Sequence, residues 1–397
     1  MLEYAGSQRA GLRAEREAPG MLAIVRSLDW ILLAGVVALV VVGLWGVAGF
    51  TKFAIPSDPT YFLNRQILYA CVGGVALVVA ALIDPDLYRR YWRAIFIGTA
   101  VVIAFVLLIG HASHGSSRWI SLGFFTFQPS EFGKLLFILA LAGMLAERER
   151  ELNGWGTTLR VVGIGLVPVL LVFAQPDLGT ALVYTAALAA MLYIAGVPWR
   201  HLAVLGAVVV LAVVGVLWAG PAVGVSMLKG YQQQRLTCFT HPTTCSVDAR
   251  YNLEQSKAAI GSGQFRGRGP NGSSQVKLGF LPESGTDFVF AGFAEQRGFV
   301  GAVILLALYL LVLWRGLRVV TVARDLFSAI VAGGIVVALL FQIFVNVGMT
   351  MGIAPITGIP LPFVSVGGSS LIANLAAMGV LLAIYARGRV SRYSRRR

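Results

Sequence analysis

The 397-residue chain is 57% hydrophobic and only 13% charged, with a mean hydropathy of +0.78. So few charges cannot clothe a soluble globule of this length, and the apolar runs recur at membrane-spanning length, so the composition excludes a soluble enzyme and defines a polytopic membrane protein. The net charge of +14 needs no nucleic acid partner: most arginines sit between apolar runs, and the basic end Arg387–Arg397 suits anionic membrane lipid while lacking the interleaved aromatics of a base-stacking surface.

In hydrocarbon every backbone polar group must be bonded internally, and helices achieve this segment by segment. The sequence predicts an all-α protein of about ten transmembrane helices, over 30–50, 67–83, 94–110, 132–146, 160–174, 179–196, 202–220, 288–314, 327–351 and 369–386. Trp30–Phe50 is too long for the apolar region of a cleavable signal peptide and reads as a retained first span. Residues 1–29 then form an N-terminal tail, 30–386 the membrane domain and 387–397 a basic C-terminal tail.

Arginines mark one side. Arg9, Arg13, Arg16 and Arg26, then Arg89, Arg90 and Arg93, then Arg148, Arg150, Arg160 and Arg200, then Arg315, Arg318, Arg324 and the Arg387–Arg397 run fall on segments that share a face if both termini are cytoplasmic. The short segments opposite hold only Lys52, Arg65, Arg118 and, at a helix mouth, Lys134. That asymmetry places the long loop 221–287, between the seventh and eighth spans, outside.

Cys71 lies within a span and reads as a small buried apolar residue. Cys238 and Cys245 lie in the outer loop, where an oxidising compartment favours a disulfide; a metal site with His241 would lack a fourth ligand nearby. Gly261-Ser-Gly-Gln-Phe-Arg-Gly267 follows no strand and opens no long helix, so it reads as a flexible loop rather than a dinucleotide site. No nucleotide or organic cofactor is expected, and HExxH, CxxC and GxSxG motifs are absent from the sequence.

The remaining polar chemistry gathers at outer helix ends. Gln128-Pro-Ser-Glu131 is a turn followed by a helix start, with Ser130 as cap, Glu131 in the first turn and Lys134 one turn inside the span. A lysine there is a functional candidate unless Glu131, three residues away, satisfies it as a structural pair. Asp177 is placed to cap the following span, and Ala354–Ser370, with its prolines and glycines, must be a broken segment buried in protein or lining a wet cavity. Leu281-Pro-Glu-Ser-Gly-Thr-Asp287 ends the long polar stretch with two carboxylates, Glu283 and Asp287, where loop turns into helix. These four segments are expected to line one cavity. On residue chemistry alone, Asp287 serves equally well as a helix cap or as a base whose pKa burial would raise.

The runs Arg118-Trp119-Ile120, Phe127-Gln-Pro-Ser-Glu131 with Lys134, Gln175-Pro-Asp-Leu-Gly-Thr180, Ala259-Ile-Gly-Ser-Gly263, Leu278-Gly-Phe-Leu-Pro-Glu283, Thr286-Asp287-Phe288, and Thr357-Gly-Ile-Pro-Leu-Pro-Phe363 with Gly367-Gly-Ser-Ser370 resemble the SEDS family (shape, elongation, division and sporulation) over nearly the whole chain. Gln-Pro-Asp-Leu-Gly-Thr and Thr-Gly-Ile-Pro-Leu-Pro look like its rod-shape-determining branch, RodA, rather than its division branch, FtsW. The resemblance implies a peptidoglycan glycosyltransferase that polymerises lipid II at the outer face of the bacterial cytoplasmic membrane, with a class B penicillin-binding protein as transpeptidase partner.

On that reading Asp287 matches the family's essential aspartate and is the general base for the acceptor hydroxyl. Glu283, Thr286, Arg118, Trp119, Glu131, Lys134, Asp177 and Ser369 are supporting or substrate-binding residues. Arg118 and Lys134 are placed to stabilise the diphosphate leaving group, with a divalent cation, Mg or Mn, as helper. The chain departs from the family pattern at Gly285, often histidine, at Val366, often tyrosine, and at Arg297. A lipid II transporter is the rival reading; it would carry its essential ionisable residues near the bilayer midplane. A non-enzymatic scaffold would leave Asp287 dispensable.

Overall fold

The computed structural model describes residues 25–52, 55, 58–109, 111–113, 116–121, 126–215, 247–281 and 283–394. The chain is built from α1 (Trp30–Phe50), α2 (Tyr61–Leu82), α3 (Trp92–Ile109), α4 (Pro129–Glu147), α5 (Trp155–Ala174), α6 (Leu178–Ile194), α7 (Trp199–Val214), α8 (Val247–Ser262), α9 (Val289–Val322), α10 (Leu326–Met351) and α11 (Gly368–Ser394). Between α3 and α4 the strands β1 (His111–Ser113), β2 (Ser116–Ser121) and β3 (Thr126–Phe127) form a small antiparallel sheet in that order. The sequence predicts only loop here.

Among the described residues, α1, α2, α4, α5, α9, α10 and α11 are long and apolar enough to cross a membrane, and α3, α6 and α7 contain shorter apolar helices. These ten helices coincide with the ten expected spans. Val37 and Val41 of α1, Val75 and Val78 of α2, and Leu310 and Leu317 of α9 point out of the bundle. An outward apolar face is stable only against hydrocarbon, which is why these helices are apolar all round. The same fact corrects the reading of Cys71, which is exposed on α2 rather than buried; when both faces are apolar, the sequence pattern does not tell inside from outside.

The interior belongs to α4, α10 and α11, the three most deeply buried long helices. α11 packs most extensively on α2, α10 on α6 and α9, and α9 also on α1.

At one end, the arginine end, Asp29 caps α1 by accepting from the Leu32 amide at 3.1 Å and pairs with Arg315 of α9, whose Nη2 reaches Oδ2 at 2.6 Å. Both are buried. Arg387, also buried, donates to the Leu82 carbonyl at 2.9 Å and pairs with Asp84 at 3.4 Å. These two arginines of the basic face are interior ties between helices, because each finds a carboxylate on a neighbouring element.

At the opposite end, the loop end, the long polar stretch is not a plain loop. α8 docks on α9 and α10, followed by single turns at Gly269–Gly272 and Ser274–Lys277. Gly298 interrupts α9 with φ +68°. A Cβ there would run into the backbone of Arg266 and Gly267, so only glycine permits the approach. The interruption frees the Phe299 and Val300 amides, which donate to the carbonyls of Gln264 at 2.8 Å and Phe265 at 3.2 Å. Buried Glu295 accepts from the amides of Gln275 at 2.9 Å and Val276 at 3.1 Å. The expectation of a flexible Gly261–Gly267 loop therefore fails: its glycines allow backbone to lie against backbone and keep every exchanged amide bonded.

Candidate active site at the loop end

The interior part of the site begins at Gln128. The helix α4 starts at Pro129, Gln128 occupies the cap position, and no side chain caps it. Ser130 is thus not the cap that was expected. Proline favours the first helical position, which pushes the cap back by two residues. The Ser130 hydroxyl instead accepts from Gln128 Nε2 at 3.2 Å, and its carbonyl accepts from the Tyr184 hydroxyl at 2.9 Å.

Gln128 Nε2 also donates to Asp177 Oδ2 at 3.2 Å, while Asp177 Oδ1 accepts from the Thr180 amide at 3.1 Å and so caps α6 as expected. Ser369, at the start of α11, accepts from the Gln128 amide at 3.0 Å and donates to the Thr126 carbonyl at 2.9 Å. One glutamine thereby joins three helix starts.

Glu131 lies in the first turn of α4, where the helix dipole favours a carboxylate. Its Oε2 takes the Lys134 ammonium at 2.8 Å, both side chains buried. The cavity that reaches this pair runs between α4, α10 and α11 past Gln342 and Asn374, with a volume of about 20 Å³. That is room for a water and not for a sugar.

The second part is the rim, Leu281–Asp287. Glu283 adopts φ +50°, the left-handed region that costs a non-glycine residue of order 1–3 kcal/mol. Its carbonyl accepts from the amides of Thr286 and Phe288, each at 3.1 Å, and its exposed carboxylate accepts from the Thr286 hydroxyl at 2.6 Å. The loop is thus folded back on itself.

It is also fastened to the broken segment before α11. The Val366 amide donates to the Gly285 carbonyl at 2.7 Å, and the Ser365 hydroxyl to the Thr286 carbonyl at 2.6 Å. Gln66 of α2 holds the same segment, donating to the Ser365 carbonyl at 3.1 Å and accepting from the Gly367 amide at 3.3 Å. From α10, buried Asn346 donates through one Nδ2 to the carbonyls of Asp287 at 2.9 Å and Ile359 at 2.8 Å.

Asp287 is half-buried. The cap position of α9 is Phe288, one residue later, with no side-chain cap. Asp287 therefore precedes the cap position, and it stands on a backbone tied to α10.

The four segments do converge: Gln128 meets Asp177 and Ser369, and the rim meets both α10 and the broken segment. They meet through direct bonds. The broken segment itself is buried in protein. Arg118 and Trp119 lie on β2, with Trp119 opposite His111, and their side chains fall outside what the structure describes, as do Cys238 and Cys245.

The departures Gly285 and Val366 are neighbours, a Cβ at Gly285 lying 3.4 Å from Val366 Cγ2. Arg297 places its guanidinium 3.2 Å from the centroid of the Trp45 ring. No group of three His, Cys, Asp or Glu comes together among the described residues to hold a cation. Sequence reasoning missed Asn346, Ser365 and Gln66; for Asn346 and Gln66 the available sign was a lone amide inside an apolar run, since an unbonded amide in hydrocarbon is costly.

Fold and site together define a polytopic helical membrane protein with a carboxylate-bearing loop pinned at one end of its bundle. The family model described as cell cycle protein, for FtsW, RodA and SpoVE, matches residues 26–389, and the chain belongs to this family, the SEDS proteins. The peptidoglycan glycosyltransferase MrdB of Escherichia coli K12 is 38% identical over 327 residues, covering 81% of this chain and 85% of that protein. A chain of a peptidoglycan synthase complex that coordinates polymerization and crosslinking superposes with a TM-score of 0.77 at 30% identity, over 91% of this chain and 98% of that one. The rod shape determining protein RodA of Thermus thermophilus gives 0.67 at 28% identity, over 90% and 96%.

Proposed function

We propose that the chain is a peptidoglycan glycosyltransferase that polymerises lipid II into glycan strands at the outer face of the bacterial cytoplasmic membrane, serving elongation and cell shape. The arginine end then faces the cytoplasm with both termini, as the positive-inside asymmetry requires. A class B penicillin-binding protein is the transpeptidase partner, in line with the synthase-complex neighbour. The likeness to RodA and MrdB is in line with the elongation branch.

Asp287 is the general base. It takes the proton of the acceptor sugar's 4-hydroxyl as that oxygen attacks the anomeric carbon of the donor, and the bond to the lipid diphosphate breaks with its electron pair leaving on the diphosphate. The observation that carries this role is the double tie of Asn346 to the Asp287 and Ile359 carbonyls. It fixes the backbone of a half-buried aspartate at the mouth of α9, and positioning is what a general base requires.

The test uses purified protein, labelled lipid II and separation of the glycan strands on a gel. Wild type is expected to yield polymer, and Asp287→Ala to lose roughly 10²–10⁴-fold in rate. Polymer from the variant at the wild-type rate would sink the assignment. No polymer from wild type, together with lipid II crossing liposomes, would indicate the transporter instead.

A further inference from the structure

The arginine end holds a basin that glycan synthesis does not use. Between the Pro85–Arg90 turn, the start of α3 and the end of α4 lies a cavity of about 480 Å³, within the roughly 300–1,000 Å³ of small-ligand sites. Arg89, Arg90 and Arg93 line it against Asp86 and Glu147, with Trp92 and Gly143 beneath. A Cβ on Gly143 would lie 2.7 Å from Trp92 Cγ, so the glycine keeps the indole seated on α4.

Both carboxylates are already matched. Asp86 pairs with Arg324, and Glu147 with Arg93 at 3.2 Å. Arg89 and Arg90, both exposed, make no ion pair among the described residues. Arg89 and Arg90, the latter 5.8 Å from the centroid of the Tyr91 ring, thus share one concave wall with no carboxylate partner among the described residues. Beside it Leu87, Tyr91 and Ile97 are exposed and apolar, continuing into the outward face of α3.

We infer that this basin binds the headgroup of an anionic phospholipid. Arg89 and Arg90 grip the phosphodiester, and the acyl chains lie along α3. Guanidinium groups bind phosphate oxygens in pairs of parallel hydrogen bonds, which a lysine cannot do. The apolar flank selects a lipid over a soluble phosphate, because a free anion gains nothing from it.

The test takes full-length protein in zwitterionic detergent and measures bound lipid by native mass spectrometry with added phosphatidylglycerol, phosphatidylcholine or inorganic phosphate. Wild type is expected to retain phosphatidylglycerol over phosphatidylcholine. R89Q/R90Q is expected to weaken retention roughly tenfold or more, and R89K/R90K to fall between. The control R150Q/R318Q removes two exposed arginines elsewhere and should match wild type. Equal weakening in the control would reduce the effect to net charge, and full displacement of the lipid by inorganic phosphate would make the basin a free-anion site; either result overturns the inference.

Discussion

At the arginine end carboxylates are matched with guanidinium groups: Asp29 with Arg315, Asp84 with Arg387 and Asp86 with Arg324 on neighbouring elements, and Asp325 with the adjacent Arg324. At the loop end Asp177 and Glu295 accept from backbone amides, and Glu283 from a hydroxyl. A guanidinium cancels a carboxylate's charge, whereas an amide or hydroxyl orients it and leaves the charge in place. The first arrangement ties helices together; the second holds buried Asp177 and Glu295 and exposed Glu283 in fixed orientations. Glu131 with Lys134 is the case that crosses the divide, a buried ion pair among the amide-held carboxylates.

The largest expected effect tests that exception against its counterpart. Removing one partner of a buried pair leaves an uncompensated charge and costs about 3–5 kcal/mol, while replacing both by apolar groups is often near neutral. Lys134→Met and Arg315→Met should each lower the thermal unfolding midpoint sharply, and the doubles Glu131→Leu/Lys134→Met and Asp29→Leu/Arg315→Met should recover part of the loss. Polymer assays on the doubles then separate the ends. The Asp29/Arg315 double should polymerise normally and the Glu131/Lys134 double should not; normal polymer from both would make Lys134 as structural as Arg315.

Next is Asn346→Ala, which strips the Asp287 and Ile359 carbonyls of their donor. Leaving buried acceptors unmatched costs about 1–3 kcal/mol, read as a shift of the unfolding midpoint. Because Asp287 loses its tie, the polymerisation rate should drop roughly tenfold beyond what lost fold explains; a stability loss with an unchanged rate per folded molecule would break the link between tether and base.

A smaller effect is expected at Glu283. Its φ of +50° suits glycine, so Glu283→Gly should relieve strain of about 1 kcal/mol, partly offset by greater freedom of the unfolded chain. If Glu283 only rims the site, polymerisation stays within a few-fold of wild type; loss comparable with Asp287→Ala would make it a second working carboxylate.

The smallest effect lies at the arginine end. Burial alone raises the Asp325 carboxyl, but the bonds from the Ser328 amide and Arg324 outweigh it and bring its pKa below the usual value. The unfolded chain then binds the proton more readily than the folded one. Its contribution is present above the ordinary aspartate pKa of about 3.9 and is lost as the pH falls through the lower folded value. Asp325→Asn should flatten that acid limb of the unfolding midpoint by less than about 1 kcal/mol, the pair being partly exposed; an unchanged limb would count against the pairing.

Much of the molecule was legible from its sequence. Apolar length gave the ten spans, because a helix must cross the hydrocarbon alone, and the Asp177 cap followed from a local turn. The rim carboxylates stood out as polar residues at a loop-to-helix junction. Burial was harder to see. Cys71 faces outward and Arg315 and Arg387 face inward, since a helix in lipid is apolar on both faces and its pattern carries no sign of which one is covered. The glycines around Gly267 looked like slack and are contacts, a difference visible only when Gly298 arrives across the bundle.

The sequence by itself determined the class, the span count and the candidate site residues, because hydropathy and turn chemistry act over a few neighbouring positions. Only the tertiary structure decided that Asn346, distant along the chain, holds Asp287, that Gln128 joins three helix starts, and that Arg89 and Arg90 share a basin. Those partners are brought together by helix packing, and no local pattern encodes which buried amide will meet which carbonyl.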